Sequence, residues 1–240
     1  MHIRKLAWSS VVMLPLAAGM AWLGVWQLDR MDEKRELERE FNSPEVLPLD
    51  AALETGRRFA PIRVTGRFDD EKHILLDNKV LRGRAGVHVF TPFQAFSGTT
   101  VLVNRGWKPL PADRSALPEI WTPSVPVALT GILAPPPEHR QRLGKDEEMD
   151  PGKWPQLVTY LDIDRAASAL RTPLADRVVW LSPEHEAGFE GRDWSPAVTE
   201  PERHRAYAIQ WFALSGTALV LWLVLITRSL SGTGPDRRPH

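Results

Sequence analysis

The sequence predicts two transmembrane helices flanking a mainly antiparallel β (α+β) extracytoplasmic domain. Three observations carry this. Leu6 to Leu28 runs 23 residues without a charge, and Tyr207 to Thr227 runs 21. Between them lie seven short segments of alternating or β-branched apolar character, separated by glycine and proline. A helix rising about 1.5 Å per residue needs about 20 apolar residues to cross the hydrocarbon core, and both terminal segments meet that length. The expected division is a cytoplasmic tail and first span over 1–28, a periplasmic β-rich domain over 29–206, and a second span with its tail over 207–240.

The first apolar segment also has marks of a cleaved signal peptide: Arg4 and Lys5 at its start, and "GMA" ending at Ala21. Its apolar run continues through Trp22 to Leu28, longer than a signal core, so an uncleaved anchor is expected. Five residues precede it, too few for an organellar transit peptide, which points to a bacterial inner membrane. Arg4 and Lys5 precede the first span, and Arg228, Arg237 and Arg238 follow the second. Both termini are therefore expected in the cytoplasm. Residues 29–206 hold 25 Lys and Arg against 29 Asp and Glu, a net charge of −4. A loop that long is not governed by the positive-inside bias, so the tails decide the orientation.

Asp29 to Phe41 reads as a charged helix leaving the membrane, with Asp32–Arg35 and Glu36–Arg39 as i, i+3 pairs. The region of Pro44 and Pro48 ends it. Strands follow at "PIRVTGRF" (61–68), "KHILLDN" (72–78), "GVHVFTPF" (86–93) and "TTVLVNRGW" (99–107). "VPVALTGIL" places Val125, Val127, Leu129 and Leu133 on one face, and "QLVTYL" (156–161) and "RVVWLS" (177–182) complete the set. A short helix "RAASALR", capped by Asp162 or Asp164, fits between the last two. The segments 110–122 and 135–155 are proline-rich, charged and aperiodic, and read as loops.

Composition excludes several functions. With no cysteine, the domain has no disulfide and no thiolate metal site, so a thiol copper chaperone or disulfide oxidoreductase is ruled out. Formal net charge is zero and no basic stripe appears, so nucleic acid is not an expected partner, whereas the lipid bilayer is. No nucleophile elbow, zinc-protease helix, phosphate loop or dinucleotide fingerprint is present, and no carboxylate pair stands out, so the chain is not expected to be an enzyme. Five of the ten tryptophans, Trp8, Trp22, Trp26, Trp211 and Trp222, fall in the spans, as interfacial tryptophans do.

"ERHRAYAIQWFALSG" (202–216) asks for more than an anchor. On a helix, residues 204, 207, 208, 211 and 215 share a face that reads His, Tyr, Ala, Trp, Ser. Trp26 and Gln27 lie at matching depth in the first span, so Trp26–Gln27 would face Gln210–Trp211, and the two amides could satisfy one another. Arg30, Arg203 and Arg205 line the same boundary. Read plainly, any span boundary attracts His, Trp, Tyr and Arg, and the glutamines could serve only to pack two helices. His88 is expected to face solvent or a partner, and His73, His139 and His185 to lie on the surface. "NRGW" (104–107) has two readings: Gly106 at positive φ with Arg105 and Trp107 turned to the membrane, or a buried turn with Arg105 paired to a carboxylate such as Asp77.

Four phrases, "GVWQLDRMDEK" from Gly24, "RGRAGVHVFTP" from Arg82, "VLVNRGWKP" from Val101 and "HRAYAIQWFAL" from His204, resemble the surfeit locus protein 1 family in order and spacing, over nearly the whole chain. The resemblance implies an assembly factor for cytochrome c oxidase that binds haem a and assists its insertion into subunit I. It implies His204 as ligand to the haem iron. Tyr207, Trp211 and Trp26 would offer apolar surface, Gln27 and Gln210 the polar pair, and Arg30 and Arg205 would face the propionates. Cytochrome c oxidase subunit I is the implied partner, with haem A synthase as a second candidate. A cofactor-free membrane scaffold for oxidase assembly is the alternative.

Overall fold

The structure, a computed structural model, describes residues 2–111, 113, 116–137, 149–196 and 201–231. Contacts divide the chain into a terminal unit, residues 1–36 with 197–240, and a central unit, residues 37–196.

The terminal unit holds most of helix α1 (His2–Phe41) and helix α4 (Pro201–Ser231). Both are long and apolar enough to cross a membrane. Helix α4 begins six residues before the uncharged stretch, so Glu202 to Arg205 form its first turns, where an acidic residue favours the positive end of the helix dipole.

The central unit contains β1 (Leu47–Pro48), α2 (Leu49–Glu54), β2 (Ala60–Phe68), β3 (Ile74–Leu81), β4 (Arg84–Ala95), β5 (Thr100–Pro109), β6 (Val127–Ala134), β7 (Gln156–Val158), α3 (Ile163–Leu170) and β8 (Val178–Leu181). The sheet order is β1-β2-β6-β8-β5-β4-β3-β7, and β2 also pairs with β4. That extra pairing closes β2, β6, β8, β5 and β4 into a five-stranded ring. Closure gives each ring strand a partner on both sides, and the sheet's remaining edges fall on the short strands β1 and β7. Five of the eight pairings are antiparallel; β1–β2, β3–β7 and β5–β8 run parallel.

Side-chain alternation explains the core. Ile62, Val64, Phe93, Val101, Val103, Leu129, Leu133, Val179 and Leu181 form one buried cluster with members from all five ring strands, so it fills the ring. Leu102, Phe90 and Val178 face the other way and pack with Ile74, Leu76, Ala166 and Leu170, placing α3 on the outer face. Asp162 caps α3, its side chain accepting from the Arg165 N–H at 3.2 Å. Phe41, Phe59, Trp180 and Trp194 then make an aromatic chain. Phe41 meets Phe59 at 5.6 Å between ring centres, Phe59 meets Trp180 at 5.5 Å, and Trp180 stacks on Trp194 at 5.5 Å.

Four sequence expectations need correction. Val125 precedes β6 and is exposed, because the strand begins at Val127 where pairing with Gly66 starts. β7 stops at Val158, the end of its pairing with β3. β3 begins at Ile74: Asp69 Oδ1 accepts the N–H groups of Glu71 and Lys72, holding a turn there. His73 follows that turn inward. It is 4% exposed, with Nδ1 3.1 Å from Thr91 Oγ1, and not a surface residue. His139 and residues 138–148 of the proline-rich loop lie outside the described residues.

Burial, helped by the Arg105 charge, holds the His73 imidazole down to about 4. Burial, helped by Lys79, does the same for His88, also to about 4. In the unfolded chain both titrate at about 6.5. Between those values the unfolded chain binds more protons than the fold, so stability is complete above about pH 6.5 and is lost as pH falls toward 4. Denaturant midpoints followed by tryptophan fluorescence should drop between pH 7.5 and pH 5.0. The expected loss is about 2 kcal/mol per histidine, and His73→Asn should remove its share.

Candidate functional site

Helices α1 and α4 meet along a seam of small and polar residues. On α1 the inward positions are Ser10, Met13, Ala17, Met20, Gly24, Gln27 and Met31, spaced alternately by three and four. On α4 they are His204, Ala208, Trp211, Ser215, Ala218 and Trp222, spaced by four and three. This 3.5-residue repeat keeps one face of each helix turned to its partner. The direct contacts run in inverse order, so the helices are antiparallel. Trp222 Nε1 donates to Ser10 Oγ at 3.0 Å, and Ser215 Oγ donates to the Ala17 carbonyl at 2.8 Å. At Gly24 the Phe212 ring comes so close that a Cβ would lie 2.7 Å from it. Without a hydrophobic force between helices in lipid, such close approach and interhelical hydrogen bonds are what hold a pair together.

At the end of the seam His204 Nδ1 lies 2.7 Å from Gln27 Oε1. An amide oxygen only accepts, so in this orientation of the amide a neutral His204 would donate from Nδ1 and keep its lone pair on Nε2. Ala208, one turn further, is 1% exposed. Charges crowd the same level of the helix pair. Arg30 pairs with Glu33, and its guanidinium carbon lies 5.9 Å from the Trp26 ring centre. Arg35 reaches Glu202 at 3.1 Å, and Arg205 reaches it at 3.5 Å.

The structure thus brings His204, Gln27 and Trp211 onto one seam. Gln210 does not meet Gln27. It follows His204 by six residues, about 9 Å along and about 240° around the helix, and faces outward, so it is neither level with Gln27 nor turned toward it, and the expected glutamine pair is replaced by Gln27–His204. Tyr207 and Trp26 flank the seam, 52% and 42% exposed. Arg30, within α1, and Arg205, in the first turns of α4, are exposed.

A neutral imidazole with a bare Nε2 is a good ligand for a metal ion. Among the described residues no group of three His, Asp or Glu could cage a bare ion. A lone imidazole flanked by aromatic surface and arginines suits a metal that arrives with its other ligands in place, on a flat apolar and anionic carrier.

The central unit holds a second feature, which sequence reasoning left between two readings. Gly106 takes φ +108°, and a Cβ there would lie 2.6 Å from the Glu190 carbonyl, so only glycine fits. Arg105 is wholly buried, as Trp107 nearly is. Its hydrogen bonds go to neutral oxygens, not to Asp77. Nε donates to the Ala187 carbonyl (2.7 Å), Nη1 to Thr122 Oγ1 (2.7 Å) and Nη2 to the Trp121 carbonyl (2.6 Å). Phe68 and Phe189 lie 4.9 and 4.7 Å from its guanidinium carbon. Burial lowers it to about 10, still charged at neutral pH. His88 is half-buried, not solvent-facing: Asn104 Nδ2 lies 3.3 Å from its Nδ1, and Trp194 meets it edge-on at 5.9 Å. His185 is half-buried too, with Nε2 3.1 Å from the Ala128 carbonyl.

Comparison with known proteins bears on this arrangement. The model described as the SURF1 family matches residues 14–216, which include most of α1, the first half of α4 and the whole central domain. A SURF1-like protein of Monosiga brevicollis is 27% identical, covering 90% of this chain and 88% of its own length. Surfeit locus protein 1 of Rattus norvegicus is 26% identical over 88% of this chain and 73% of its own. A SURF1-like protein of Rickettsia bellii is 24% identical over 90% of this chain and 89% of its own.

Proposed function

The chain belongs to the SURF1 family, and from that premise we propose that it is an assembly factor for cytochrome c oxidase which binds haem a and assists its insertion into subunit I. The observation that carries the haem reading is His204 with its Nδ1 turned to Gln27 and its Nε2 left to ligate. When bound, the haem supplies an iron already held by four porphyrin nitrogens, so one imidazole suffices from the protein. Trp211, Tyr207 and Trp26 offer flat apolar surface for the macrocycle, and Arg30 and Arg205 offer charge for its propionates. Weak pairing at exposed sites keeps those contacts reversible, as a carrier that must release its cargo requires. The chain acts as a carrier and not as a catalyst.

In this reading both termini lie in the cytoplasm of a bacterium. The two helices cross the inner membrane, and the central domain is periplasmic. Subunit I is the receiving partner, and haem A synthase is a candidate donor. Cells lacking this chain should show a several-fold smaller haem a band in membrane difference spectra, while b-type bands persist. Restoring the wild-type chain should restore the band. Full oxidase absorbance in its absence would remove the assembly role.

A further inference from the structure

We propose that Gln27 is a positioning residue for His204: its amide oxygen holds the imidazole in the Nδ1–H tautomer and aims the bare Nε2 away from the helix seam. This rests on the haem reading above and goes one residue beyond it. The 2.7 Å contact joins the two helices at a site where neither side chain has another hydrogen bond among the described residues. A histidine with one nitrogen pinned can rotate about neither χ angle without breaking that bond. The partner also decides which nitrogen carries the proton, and so which nitrogen can bind metal. A donated Nδ1–H bond pushes electron density into the ring and strengthens Nε2 as a ligand. The amide lies on the inward face of α1, three residues beyond Gly24, where the Phe212 ring leaves no room for a Cβ.

The reverse orientation of the amide, with its NH2 group donating to Nδ1, would place the proton on Nε2 and block ligation. The two cases differ in the ligand-free protein, so the test does not depend on haem. The full chain, labelled with nitrogen-15 histidine in lipid nanodiscs at about pH 8, should show His204 as the Nδ1–H tautomer. Assignment comes from the signal lost in His204→Ala. Gln27→Met, close in size but without an amide, should leave a mixture of tautomers. Gln27→Glu should retain the Nδ1–H form. Titration with haemin should then show about 10–100-fold weaker binding for Gln27→Met, the usual cost of losing such a partner. The midpoint potential of bound haemin should be higher in Gln27→Met and lower in Gln27→Glu. A circular dichroism melt like that of the wild type separates this from a disturbed helix pair. If Gln27→Met does perturb packing, the retained tautomer and lowered potential of Gln27→Glu decide the matter. An Nε2–H tautomer in the wild type, or a tautomer indifferent to Gln27→Met, overturns the proposal even if His204→Ala loses haemin. Haemin binding unchanged in His204→Ala overturns the haem reading instead, whatever the tautomer.

Discussion

Arg105→Ala should destabilise the central domain by about 4 kcal/mol, a large part of the roughly 5–15 kcal/mol that holds an ordinary domain together. Two effects oppose one another. Arg105 is wholly buried and its hydrogen bonds go to neutral oxygens, so its charge is costly to the fold, as its lowered proton affinity shows. Removing the charge recovers that cost. Against it, alanine leaves the Ala187 and Trp121 carbonyls and the Thr122 hydroxyl without their donor, at about 1–3 kcal/mol each. It also opens a cavity between Phe68 and Phe189, and emptying a site of that size costs about 3–5 kcal/mol. The losses are the larger. They are also local: Arg105, with the bond from Lys108 Nζ to the Glu119 carbonyl, ties the irregular segment 117–126 to β5. Arg105→Ala should therefore lower the denaturant midpoint and expose residues 116–126 to protease. Arg105→Lys keeps the charge but cannot reach three acceptors with a point donor, and should fall between. An unfolding free energy within about 1 kcal/mol of wild type in Arg105→Ala would show that the neutral acceptors find other donors.

His204→Ala should do the opposite: leave the fold intact and remove the ligand. Its side chain is only half-buried at the first turns of α4, and the spans below it keep their apolar lengths. The bonds Ser215–Ala17 and Trp222–Ser10 still hold the helix pair. Gln27 loses its partner at a level where water reaches, so the penalty is about 1 kcal/mol. Haem affinity should fall by more than the roughly 10–100-fold expected when Gln27 is lost, since the iron–nitrogen bond itself is deleted. Arg205→Ala should be mild, because an exposed charge pair is worth about 0–1 kcal/mol.

How much of this was legible in the sequence depends on the range of the interaction. The two spans were legible because uncharged length is a local property. The strands were legible to within a few residues because alternation is local too, and so was positive φ at Gly106. Ring closure was not. It rests on Gly66, Arg67 and Phe68 meeting Ala95, Gln94 and Phe93, a pairing that no local pattern encodes. The inward turn of His73 was missed because one residue before a strand has no period, and its burial is set by Thr91 and Arg105 from other strands. At the candidate site, neither the register nor the rotation of the helices was legible. Equal depth was expected to set Gln27 against Gln210; the contacts instead make Gln27 level with His204, and they turn residue 204 inward and residue 210 outward. The signal was present in the small residues Ala17, Gly24, Ala208, Ser215 and Ala218 at heptad spacing, which fix the phase of both helices. Arg105 was legible as one of two alternatives, but its partners were not, since backbone carbonyls leave no mark in a sequence.

The central claim is that this chain carries haem a on His204. It is tested most directly by purifying wild type and His204→Ala in mild detergent from cells that make haem a, then extracting the pigment and recording reduced-minus-oxidised spectra. A haem a band is expected in the wild type, with its loss or marked weakening in His204→Ala at equal yields of folded protein. Equal haem content and an unchanged spectrum in His204→Ala would contradict it, and a wild-type chain without pigment would leave a scaffold for oxidase assembly in its place.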